Sequence, residues 1–152
     1  MRASRWAAAL LVIGGLALTG CTQSEAAAGA AAEKPATVEA VAGTDAKKVV
    51  LTEQAVTRLG LRTATVGKKS VATGGTTATR TTVPYSALLY DAKGDTWVFE
   101  VVAPRSYLRT KVAVEIVDGE TVVMTDGPAA GTSVVTVGAA VLYGAELGTG
   151  AK

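Results

Sequence analysis

From Thr96 to Gly138 the chain repeats one pattern, an apolar-polar alternation followed by a turn signal. In residues 96–102, Trp97, Phe99 and Val101 fall on one side of a strand and Glu100 on the other, because β side chains alternate between faces. In residues 110–117, Val112, Val114 and Ile116 share a side opposed by Lys111 and Glu115. Asp118-Gly119 is a hairpin signal, ETVVMT the return strand, DGPAAGT a second turn and SVVTVG the strand after it. Strands this short and evenly spaced predict a small antiparallel β-roll or barrel, with Trp97 and Val114 in its core. The apolar content is mostly Ala and Val, and aromatics are only 5% of the chain. A core of small and β-branched side chains suits strands.

The segment before this region supplies shorter elements. KKVVLT, from Lys47, reads as a strand. Thr52 then stands as an N-cap, Glu53 is acidic in the first turn, Ala55, Val56 and Leu59 are apolar, and Gly60 is a stop. That predicts one short helix. LRTATV returns to strand, and GKKSVATGGTTATRTT has strand-forming Thr and Val around a turn or bulge at Gly74-Gly75. The folded domain is thus expected over residues 47–148, with 149–152 as a tail.

The first 21 residues, MRASRWAAALLVIGGLALTGC, have the layout of a secretory signal: two arginines, an apolar run over residues 6–18, then small residues. That run is too short for an ordinary transmembrane helix. Leu18-Thr19-Gly20-Cys21 resembles the lipobox of bacterial lipoproteins. The resemblance implies cleavage between Gly20 and Cys21, a signal peptide of residues 1–20, and a diacylglyceryl group on the Cys21 sulfur. A thiol is the best nucleophile for such a transfer, and small Thr19 and Gly20 fit a membrane-embedded peptidase. Acyl chains, at about 0.8 kcal/mol per buried CH₂, would hold the protein on the extracytoplasmic face of the cell membrane. Residues 22–46, TQSEAAAGAAAEKPATVEAVAGTDA, contain no aromatic, and residues 21–46 are expected to form a disordered tether.

Several chemistries are excluded by residue type. The chain has no His, which removes Ser-His triads, histidine metal sites and imidazole acid-base catalysis. Its one Cys leaves no intramolecular disulfide to form. Of 15 Lys and Arg, Arg2 and Arg5 lie in the signal, leaving 13 to face 13 Asp and Glu. A neutral mature chain gives no argument for a nucleic-acid partner. Met124 is the one methionine outside the signal, and its alternating strand places it in the core rather than at a metal. Asp118 and Glu120 flank an open glycine turn, where no shift of their pKa values is expected. No catalytic residue and no cofactor are assigned.

Two segments carry a further resemblance. VVLTEQAVTRLGLRTATV (residues 49–66), with Leu59-Gly60-Leu61 at its corner, is similar to the strand-helix-strand of the periplasmic adaptor, or membrane fusion, proteins of efflux pumps. VPYSALL, the hairpin to WVFEV, the bend APRSYLRTKVAV and the ending DGPAAGTSVVTVGAAVL resemble that family's membrane-proximal domain. Gly127, Gly131 and Gly138 match the ending's glycines, with Val134-Val135 between them. The family's lipoyl-like domain, its long helical hairpin and most of its middle barrel have no counterpart here. The resemblance therefore implies a shortened adaptor-like subunit that binds a transporter permease, of the ABC or RND type, and associates with further copies of itself. Without the hairpin it would not bridge two membranes.

Charge suggests where a partner sits. Residues 47–80 hold Lys47, Lys48, Arg58, Arg62, Lys68, Lys69 and Arg80 against one acid, Glu53, whereas residues 91–126 lean acidic. Arg58, Arg62, Lys68 and Lys69 are the candidates for a partner-facing surface. The same residues leave open a cell-surface module that binds cell wall, carbohydrate or lipid and shares only a β-roll with the adaptors.

Overall fold

Val134 and Val135 are consecutive residues of one strand, and neither exposes any surface to solvent. Their side chains point to opposite faces, so both faces of that strand must be covered. The computed structural model, which describes residues 34–43, 46–73 and 75–149, shows what covers them. In chain order the elements are β1 (Ala36–Ala40), β2 (Lys47–Leu51), α1 (Glu53–Leu59), β3 (Arg62–Thr65), β4 (Gly67–Thr73), β5 (Thr76–Pro84), β6 (Leu89–Tyr90), β7 (Thr96–Ala103), β8 (Ser106–Lys111), β9 (Ala113–Asp118), β10 (Thr121–Asp126), β11 (Ser133–Val137) and α2 (Ala139–Glu146). The fold is mostly β, and the described strand pairs are antiparallel. The signal segment, Gly20, Cys21 and the tether as far as residue 33 lie outside the described residues.

The strands form two sheets. The larger runs β1-β2-β8-β7-β11-β3, with β6 also paired to β7, and the smaller runs β4-β5-β10-β9. One core lies between them. Val98 and Val134 of the larger sheet meet Val83, Val122 and Met124 of the smaller, with Val66 and Val112 at the crossings. The other core lies on the opposite face of the larger sheet, where Val49, Phe99, Tyr107 and Val135 meet Ala55 of α1 and Ala139 and Leu142 of α2. Each wholly buried Val, Leu or Phe contributes roughly 1.5–3 kcal/mol. The central strands β7 and β11 supply side chains to both cores at once.

Local signals account for the helix ends. Thr52 Oγ1 accepts the Ala55 N–H at 3.2 Å, and Gly60 ends α1 in the left-handed conformation at φ 56°. A second helix, α2, adds to the single one expected from sequence. Gly138 opens it at φ 90°, where a Cβ would overlap Leu61 Cδ2. Gly148 closes it in a Schellman arrangement: Thr149 N–H donates to the Gly144 carbonyl at 3.0 Å and Gly148 N–H to that of Ala145 at 3.0 Å.

Other expectations are corrected by packing. Residues 110–117 are not one strand: β8 pairs with β7 in the larger sheet, the chain crosses at buried Val112, and β9 pairs with β10 in the smaller. Ile116, expected inside, is 52% exposed on the outer strand β9. Val114 is half-buried at the margin of the first core, and Trp97 is half-buried too. The buried residue beside Trp97 is Val98, expected to face away. Residues 36–40, expected within the tether, form β1 and pair in register with β2, so folded structure begins before Lys47.

Candidate functional site

Beside β2 and α1 the chain forms a groove of about 900 Å³, lined by three cations, Lys34, Arg58 and Arg105, and by a single carboxylate, Glu53. Three separate segments deliver the cations. Lys34 precedes Pro35, whose carbonyl accepts the Thr52 N–H at 3.0 Å and fastens the incoming chain beside the α1 cap. Arg58 belongs to the last turn of α1. Arg105 sits with Pro104 in the two-residue turn between β7 and β8, which Ala103 and Ser106 close as a pair.

The backbone at Arg105 is unusual. At φ 61° it is the one non-glycine residue with positive φ among those described. Proline before it and positive φ at this position fit a type II turn, where Gly or Asn is the ordinary choice. An L side chain there costs on the order of 1 kcal/mol or more. The Arg105 carbonyl accepts the Leu51 N–H at 2.9 Å, tying the turn to β2.

Some of the fold's cations are ion-paired, and the groove's are not. Lys48, Lys69, Arg80, Arg109 and Lys111 each pair with a carboxylate, at 2.6 to 3.0 Å. Lys34, Arg58 and Arg105 have no ion pair among the described residues, and neither have Lys47, Arg62, Lys68 and Lys93. Of the threonines on the lining, Thr52 accepts in the helix cap and Thr57 donates to the Glu53 carbonyl at 3.1 Å. The arrangement places a net positive charge in a concavity. Such a lining suits an anion better than a cation. Among the described residues no three His, Cys, Asp or Glu side chains gather as metal ligands.

A second polar cluster is structural. Glu146 of α2, its side chain 2% exposed, pairs with Arg109 of β8 at 2.8 Å and accepts the Lys47 N–H at 3.2 Å. The Arg109 guanidinium lies 4.1 Å from the Trp97 ring centroid and 5.3 Å from that of Tyr143. Next to it, Asp91 accepts N–H groups from Lys93, Asp95 and the Trp97 indole. Desolvation by itself would raise the Asp91 carboxyl, but these donors outweigh it and hold the group below the ordinary aspartate value.

The four basic residues singled out in sequence do not gather at one place. Of them only Arg58 lines the groove. Arg62 is exposed at the start of β3, and Lys68 and Lys69 are exposed neighbours on β4, in the other sheet, where strand alternation turns them to opposite faces. Lys69 is also spoken for. Its pair with Asp118, at 2.6 Å, joins the outer strands β4 and β9, which three strand spacings of about 4.8 Å would hold apart in a flat sheet. The smaller sheet therefore curls until its edges approach. The Lys69 hydrogen bond and charge hold the Asp118 carboxyl below its ordinary value, contrary to the expectation for an open turn. With Arg80–Glu115 at 2.6 Å, the basic and acidic halves of the sequence are partly interlaced in space.

Sequence patterning misses Lys34 and Arg105, because Lys34 falls within the expected tether and Arg105 has no basic neighbours. The signal that could find Arg105 is Pro-Arg at a turn position that favours glycine. No protein-family model matches the chain, and comparison with curated proteins gives no match.

Proposed function

We propose that this chain is a non-catalytic, membrane-anchored lipoprotein that serves as an adaptor-like accessory subunit of an efflux transport system of the ABC or RND type. The observation that carries the reading is the order of the likenesses: Leu18-Thr19-Gly20-Cys21, then residues 49–66, then residues 83–148. The way the two later segments fold supports treating them as one module. β2 pairs with β8 and β3 pairs with β11, so each segment completes the other's sheet, while residues 67–82 contribute to the smaller sheet. No helix among the described residues is long and apolar enough to cross a membrane, and the reading places attachment at Cys21.

The test is crosslinking of the mature protein in intact membranes, with identification of what is captured, alongside Cys21→Ser. The expected result is a permease crosslinked to the wild type, and acyl chains on Cys21 by intact mass. The variant should remain uncleaved and without lipid, because a hydroxyl is a far poorer nucleophile than a thiol. Capture of cell-wall material without any permease would overturn the adaptor reading, and an unmodified thiol on the mature protein would overturn the lipoprotein reading.

A further inference from the structure

We propose that the groove of Lys34, Arg58 and Arg105 binds the phosphodiester headgroup of an anionic phospholipid and docks the domain on the bilayer that carries its anchor. The proposal rests on the lipoprotein reading above for its choice of ligand source. The chemistry of the site rests on the groove itself.

Three cations line the groove against one carboxylate, Glu53, so the lining carries a net positive charge that an anion would offset. Lys47, Arg62, Lys68 and Lys93 also have no ion pair among the described residues, so what distinguishes Lys34, Arg58 and Arg105 is that all three line one groove. Arg105 strengthens the case. A glycine at φ 61° would keep the Arg105 carbonyl bond to Leu51 and relieve the backbone, so what the arginine adds is its guanidinium. A guanidinium offers a planar fork of donors to two oxygens of one phosphate, and a lysine adds a compact charge beside it.

Position selects the source of the phosphate. Lys34 lies where the folded unit joins the segment carrying Cys21, thirteen residues earlier in the chain. At full extension those residues reach at most about 45 Å, so an anchored domain keeps the groove close to a surface dense in headgroups. Attraction at that range is local, since charges are screened beyond about 8–10 Å at physiological salt. Docking through the groove would hold α1 and the β7–β8 turn against the bilayer and leave the smaller sheet free for a protein partner.

The test uses the full mature protein in uncharged detergent micelles doped with phosphatidylglycerol, or with phosphatidylcholine, or given inorganic phosphate at the same concentration. Arginine side-chain NMR signals report on Arg58 and Arg105 directly. The expected result is a saturable shift of both signals with phosphatidylglycerol, and little with phosphatidylcholine or inorganic phosphate. Arg105→Gly and Lys34→Gln should each weaken the response about fivefold, and both together more than about twentyfold. Arg105→Gly should melt no lower than the wild type, which separates a binding role from a structural one. No shift with phosphatidylglycerol, an equal shift with phosphatidylcholine, or unchanged affinity in Arg105→Gly overturns the proposal. An equal response to inorganic phosphate overturns the lipid assignment in favour of a free-phosphate site. The intact mass of the same sample keeps the two readings apart. A phosphatidylglycerol response with an unmodified Cys21 upholds the groove and sinks the anchor, and an acylated Cys21 without a response does the reverse.

Discussion

Arg109→Met removes a charge that the fold holds among apolar and aromatic groups, and the cost can be worked from the geometry. The Arg109 and Glu146 side chains are 11% and 2% exposed and lie 2.8 Å apart. Removing one member of a buried pair costs roughly 3–5 kcal/mol, because the other charge is left uncompensated out of water. Loss of the guanidinium from the Trp97 and Tyr143 faces adds about 0.5–1 kcal/mol, while the methionine stem keeps part of the packing. The sum for Arg109→Met is about 4 kcal/mol, a large share of the 5–15 kcal/mol typical of a domain. Glu146→Leu should cost less, about 2–3 kcal/mol, since Arg109 is the less buried partner and can extend towards water. That variant also loses the acceptor for the Lys47 N–H. The double variant carries no uncompensated charge and should cost only about 3 kcal/mol, giving a coupling of about 3–4 kcal/mol. Urea unfolding of all four proteins, with equal slopes as the check on comparable unfolded states, measures each term. Additive single costs, or a loss below about 1 kcal/mol for Arg109→Met, would refute the reasoning and place the pair among the weak solvated ones.

Three further outcomes follow from the packing. Val98→Ala should destabilise by about 2 kcal/mol in urea, because Val98 is wholly buried between the sheets, and a near-zero cost would restore the one-sided strand expected from sequence. Gly138→Ala combines a left-handed backbone with overlap on Leu61 and should cost about 2–4 kcal/mol, read as a lowered melting temperature with weakened α2 signals. Burial raises the Tyr107 phenol above its ordinary value of 10.0, so the fold favours its neutral form. That stability is fully present below about pH 10, where the unfolded phenol is still protonated, and is lost as pH rises towards the folded value. Tyr107→Phe should therefore flatten the decline in melting temperature on the alkaline side, and an unchanged decline would refute the assignment.

Features decided within a few residues are legible in the sequence by itself. Thr52, Glu53 and Gly60 mark α1, because a cap is made by atoms three or four residues apart. Asp118-Gly119 marks the β9–β10 hairpin, because the turn needs positive φ at Gly119. The alternations of β7, β10 and β11 are equally plain, and with them the mostly β fold. The close of α2 is there to be read as well, in Gly148, but eight residues ending in a glycine stop do not announce a helix beside a run of strands.

Only the tertiary structure decided which faces are covered and which charges meet. Alternation says that Trp97 and Val98 point opposite ways, but not that sheet and helices cover both sides of β7 and leave Trp97 at the margin. Val112 and Ile116 share a parity, yet the crossing between sheets at Val112 buries one and leaves the other on an outer strand. Arg58 is legible as a basic residue. Its meeting with Lys34 and Arg105 depends on β1 joining β2 and the β7–β8 turn bonding to Leu51, contacts far apart in the chain. The charge segregation of the sequence is real along the chain and partly undone in space, because Coulomb interactions act through distance and the curled sheet sets Lys69 against Asp118.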